Sequence, residues 1–263
     1  MTAQKPEIRN TKSETNPESE TSKTKTEDFL MKRWLLCGLV VVPTLLLPAA
    51  GAGKKGDDPK EALQALQDYI GAWKGNGTSE KNKSEIWKET ANWSWRFKGK
   101  DVYLSLQNEK SKLFKGGEMR FLPESGKYQF TLIDRSGKKT VYEGALKKTS
   151  LVLERKNDAG DTEQIKLSVV GGGDRLVHDF WLRPEGRTLF TRQYQISYTK
   201  EGVTFGAAGE KKPECVVTGG LGTMQVSYMG QTYYVCCSGC RDAFNDNPAK
   251  IIAEYKARKK AGQ

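Results

Sequence analysis

Histidine is all but missing from this chain: His178 is the only one in 263 residues. No nucleophile–base–acid triad, phosphate-cradling glycine loop or well-placed carboxylate pair can be traced, so hydrolytic and nucleotide chemistry find no foothold. Gly171-Gly172-Gly173 falls between strand-like runs and reads as a turn. Internal repeats are absent beyond the rhythm of the strands. Long apolar runs are absent too: the one apolar stretch, residues 34–47, falls short of the about 20 residues a spanning helix needs. With hydrophobic residues at 37% and charged residues at 29%, the bulk of the chain is well hydrated rather than polytopic. Basic residues outnumber acidic ones, 43 to 32, for a net charge of +11. The lysines are scattered, and neither a recognition helix nor a basic arm stands out. Nucleic-acid binding is therefore not expected, and the charge reads as a solvated surface with some attraction for anionic partners such as a membrane face.

Cysteine is scarce but concentrated. Of five cysteines, four lie in the last fifty residues. Cys215 comes first; after twenty intervening residues follows Cys236-Cys237-Ser238-Gly239-Cys240. No second cysteine follows Cys215, where Val216-Val217-Thr218 stands, so an ordinary four-cysteine finger with two paired knuckles is not supported. Clustered thiolates suit a soft ion, zinc or copper(I). Two bland alternatives remain: a disulfide scaffold, which an exported domain often uses, and a redox pair at Cys237 and Cys240, which lacks the βαβ surroundings such a pair normally has. Cys37, inside the apolar run, is read as a passenger.

The N-terminus divides in two. Residues 1–30 are Thr, Ser, Glu, Lys and Pro with little apolar content, which predicts disorder. Residues 31–53 combine Lys32 and Arg33, the apolar run and a small-residue site at Ala50-Gly51-Ala52, the parts of a signal peptide. Met31 can serve as an alternative start. If the segment is retained, residues 34–52 form a membrane anchor. In either case the remainder is expected outside the cytoplasm.

Residues 58–205 predict a mainly β domain. Asp58 and Pro59 begin a short helix carrying Leu63, Leu66 and Ile70. Alternating runs then follow, among them Trp93, Trp95 and Phe97, then Val102, Leu104 and Leu106, then Ile165, Leu167 and Val169, each bounded by turn residues. Eight to ten short strands without intervening helices imply antiparallel pairing, and closure into an up-and-down barrel removes the edges; a β-sandwich is the competitor. Residues 206–213 read as a linker. In residues 214–260, Met229-Gly230 predicts a hairpin turn, Ser238 caps a helix bearing Cys240 and Phe244, and Asn247-Pro248 opens another.

Two resemblances attach to these motifs. Gly71-Ala72-Trp73-Lys74-Gly75-Asn76-Gly77 resembles the opening of lipocalin-like and, more closely, nitrobindin-like barrels. That likeness implies a histidine on a late strand for haem, here His178, and a cation over Trp73, with Arg192 as the candidate. Cys215, Tyr233-Tyr234-Val235-Cys236, Cys240, Phe244 and Asn247-Pro248 resemble the TRASH and YHS families, small treble-clef-like heavy-metal domains. This implies Cys215, Cys236 and Cys240 as ligands, with Cys237 a fourth ligand or a spare. The expectation is a non-enzymatic, exported metal-binding protein for metal handling or sensing; the alternative is a barrel carrying a small apolar ligand.

Overall fold

The computed structural model describes residues 58–202 and 213–261. The expected disordered tail, the signal or anchor segment with Cys37, and nearly all of the linker lie outside them. Among the described residues, no helix is long and apolar enough to cross a membrane.

Asp58 accepts hydrogen bonds from the backbone N–H groups of Lys60 and Glu61 and so starts α1 (Pro59–Gln64). A 3-10 turn at Gln67–Tyr69 then feeds a barrel of ten strands: β1 (Gly71–Ser79), β2 (Ile86–Lys98), β3 (Asp101–Gln107), β4 (Phe114–Leu122), β5 (Lys127–Asp134), β6 (Lys139–Lys147), β7 (Ser150–Lys156), β8 (Thr162–Val170), β9 (Arg175–Arg183) and β10 (Thr191–Lys200). Each pairs antiparallel with its chain neighbours, and β1 closes the ring on β10, with Trp73 opposite Lys200. Closure leaves no long free edge. The barrel decides against the sandwich.

Inward residues fill the lumen. Trp73, Trp93, Trp95, Leu104, Phe114 and Phe130 are all buried, and Trp93 packs on Phe130 at 5.7 Å between ring centroids. Helix α1 and its turn form a lid over one end, where the Tyr128 hydroxyl donates to the Ala62 carbonyl (2.8 Å) and the Tyr69 hydroxyl to the Leu167 carbonyl (3.1 Å). The void lined by Trp93, Phe130, His178 and Tyr198 measures about 10 Å³, roughly the space of one water. A lumen packed this way gives the carrier alternative no support.

Two expectations about the barrel need correction. The cation over Trp73 is Lys200, at 5.0 Å, because the start of β1 faces the end of β10. Arg192 sits at the opposite end of β10, over Trp181, and pairs with Glu80 and Asp179. His178, implied as a haem ligand, is wedged between Phe114 (5.4 Å) and Tyr194 (5.7 Å), beside a void far too small for a porphyrin.

His178 carries a pH signature. Burial pushes its pKa down from 6.5 to about 4, because no partner compensates the charged form. The unfolded chain binds this proton near pH 6.5 and the folded chain only near pH 4. Stability is therefore intact above pH 6.5 and falls as the pH drops through that window. The gap corresponds to roughly 3 kcal/mol. Urea titrations should show the protein losing about that much relative to His178→Leu between pH 7 and pH 4; parallel stability curves would refute the assignment.

Candidate metal centre

The C-terminal module is built around a hairpin. Strands β11 (Met224–Tyr228) and β12 (Gln231–Val235) pair antiparallel across the two-residue turn Met229-Gly230. Both turn residues have positive φ, 50° and 75°, the type I′ requirement. The second strand delivers Cys236 and Cys237 at its end. Cys237, extended at φ −159° and ψ 171°, is the cap residue of α2 (Ser238–Asp246), so Ser238 becomes the first helical residue rather than the cap. No side-chain cap hydrogen bond closes this helix, and the Cys240 backbone N–H interacts with the Cys237 sulfur. Asn247 accepts from the Lys250 N–H and starts α3 (Pro248–Ala261), as the sequence predicts.

Cys215 arrives from a separate piece of chain. A tight turn brings its N–H to the Gly220 carbonyl (2.6 Å) and the Gly219 N–H to its own carbonyl (2.8 Å). A one-residue parallel bridge to Tyr234 then sets it beside the hairpin. The Sγ atoms of Cys215, Cys236 and Cys240 all lie within 4.8 Å of one another, and all three residues are buried. Cys236 and Cys240 are 3.4 Å apart. Cys237 is not a member of that mutually close trio; its sulfur lies 3.9 Å from that of Cys236. All four thiols are free. Separations of 3.4 and 3.9 Å are well beyond the ~2.05 Å of a disulfide.

Protons in the cluster are unequally held. The Cys215 thiol is pushed down by hydrogen bonds from Cys236 and Cys240, and Cys237 likewise by Cys236 and Cys240. Contacts with the neighbouring thiols, and burial, push Cys236 and Cys240 up. The protons therefore belong to the cluster as a whole rather than to any one cysteine. The helix N-terminus adds partial positive charge.

This donor set fits a soft cation. With metal–sulfur bonds of about 2.3 Å, a tetrahedral zinc site has sulfurs about 3.8 Å apart, and the spacings here bracket that value. Cys236 and Cys237 also line a cleft of about 650 Å³, together with Asn92, Ser94, Thr223 and Met224.

Residues 222–254 match the YHS domain. That stretch contains Cys236, Cys237 and Cys240, while Cys215 lies just before it. No curated protein matches the chain. Among solved structures, the chain is similar to the crystal structure of Rv2717c from M. tuberculosis, at 16% identity and a TM-score of 0.35, over 53% of this chain and 96% of that one. The YHS domain match agrees with the resemblance in the cysteine segment.

Several neighbours of the thiols carry no sequence signal. Thr218 Oγ1 lies 3.6 Å from Cys236 Sγ, and the Trp95 backbone N–H donates to Cys237 Sγ at 3.4 Å. Only folding brings a barrel strand to a cysteine 142 residues away.

The turn that aims Cys236 is suboptimal, since a methionine occupies a left-handed position. Met229→Asn should raise module stability by a few tenths to about 1 kcal/mol, Asn-Gly being the preferred type I′ pair. Thermal melts would show it; an unchanged or lower midpoint would argue against this turn geometry.

Proposed function

We propose that this chain is a non-enzymatic metal-handling protein that takes up one soft cation, zinc or copper(I), and works outside the cytoplasm. The observation that carries this reading is the convergence of three buried, free sulfurs within 4.8 Å of one another in and beside a YHS-matching segment. Cys215, Cys236 and Cys240 would hold the ion by charge and soft donation. Three thiolates leave a tetrahedral ion one position for a receiving ligand, which suits transfer or sensing better than permanent burial. The cleft beside Cys236 and Cys237 supplies a route for exchange. Support for export comes from the basic, apolar and small-residue segments at 31–53. Outside the cytoplasm, thiols not held by an ion would be prone to oxidation.

Anaerobic titration of the full chain with zinc or copper(I), read by mass spectrometry and chelator competition, should give one equivalent bound. Cys215→Ser, Cys236→Ser and Cys240→Ser should each weaken binding by more than the ~10–100-fold typical of residues that merely orient a ligand. Cys37→Ser should leave it unchanged. A folded, metal-free protein with its C-terminal cysteines in two disulfides would overturn the reading. Sequencing the mature N-terminus separates the two routes of export, since cleavage puts Gly53 first whereas an anchor retains Met1 or Met31; protection of the module from an extracytoplasmic protease in intact cells would count against both.

A further inference from the structure

The register of β2 leaves a gap in the barrel wall. Pairing with β1 ends at Trp93 opposite Gly71, whereas pairing with β3 continues to Lys98 opposite Asp101. Residues 94–98 thus overhang their neighbour, and the cysteine module packs against the start of the overhang, at Ser94 and Trp95. Ser94 is the clearest sign. Alternation would expose it, since Trp93 and Trp95 point inward, yet it is only 2% exposed. The Trp95 N–H, without a β1 partner, donates to Cys237 Sγ. Helix α2 presses so closely that a Cβ on Gly239 would stand 1.8 Å from the Trp95 carbonyl oxygen.

The other half of the thiol site is held from the lid. Gln64 donates to the Thr218 carbonyl at 3.1 Å, in the turn that follows Cys215. A Cβ on Gly220 would fall 2.1 Å from Gln67 Nε2, so the Gln67 amide lies flat against that turn. The same amide accepts from the Trp95 indole N–H at 3.0 Å. Gln67 therefore ties the Cys215 turn to the barrel wall at Trp95, and the Trp95 backbone N–H in turn holds Cys237.

We propose that the barrel is a working part of the thiol site: the β2 overhang and Gln67 are positioning elements that hold the two cysteine segments in register, so that release of the ion requires the module to loosen from the wall. This rests on the metal-handling reading above. Gly239 is the sensitive point. In an isolated helix, Gly→Ala is favourable by about 1 kcal/mol, so harm from Gly239→Ala must come from the barrel side. Gln67→Ala removes the bridge, and Gln67→Glu restores an acceptor for the Trp95 indole.

The test uses the full chain. Peptide-resolved alkylation of the metal-free protein reports how firmly Cys215, Cys236, Cys237 and Cys240 are held, and transfer of zinc to a chromophoric chelator reports release. Gly239→Ala and Gln67→Ala should speed both by roughly 10–100-fold, with Gln67→Glu near wild type and the near-ultraviolet spectrum of the barrel retained. Should Gly239→Ala fail to fold, the Gln67 pair carries the test alone. Alkylation rates equal to wild type in the folded variants overturn the proposal. If the wild type takes up no metal but the alkylation rates still diverge, positioning stands and the metal reading falls.

Discussion

Strand β2 is thirteen residues long, and the strand beside it starts too late to pair with all of it. Backbone donors and acceptors on a sheet edge demand partners. The lid turn at Gln67–Tyr69, which ends where β1 begins, is what shortens β1. One local event, a 3-10 turn where the strand would otherwise run on, thus opens the wall at the point where the module docks. A sulfur atom and a helix N-terminus then complete an edge that another barrel would finish with backbone. The barrel and the module are joined by this incompleteness.

The chemistry of the molecule is divided between the two ends of the barrel. At the lid end lie the sulfurs, the glutamines and the cleft. At the far end lie charged and polar groups. Glu163 is gripped by Arg155 at 2.7 Å and hydrogen-bonded by Tyr142. Burial raises the pKa of Glu89 despite hydrogen bonds from Ser111, Trp87 and Lys112. Between the ends, aromatic rings fill the lumen. The carboxylates at the far end are therefore separated from the thiols at the lid end by the packed core.

The barrel was legible because its strands alternate and its turns are marked. Trp93, Trp95 and Phe97, and then Leu104 and Leu106, obey period two, and that period points every large ring to one face. The cysteine segment was legible because spacing along the chain, Tyr233 to Cys240 and on to Asn247-Pro248, mirrors spacing in the hairpin and helices. What could not be read was the relation between the two. Ser94, Gln67 and Gly239 look like a polar strand residue, a helix-end amide and a helix glycine. Their meaning comes from contact across the fold, which periodicity does not encode. The cation over Trp73 failed for a related reason: choosing Lys200 over Arg192 needs the register of β10, and both residues lie on that strand.

The bond from Gln64 to Thr218 spans 154 residues and joins the earliest described helix to the module at the chain's end. A ribosome emits the lid first, the ring of strands next and the sulfurs last. Chain order therefore places every strand of the receiving wall ahead of Cys215. No strand of the seat is thus left to be made once the last sulfur has been synthesised, so the scaffold never waits on the residues it holds.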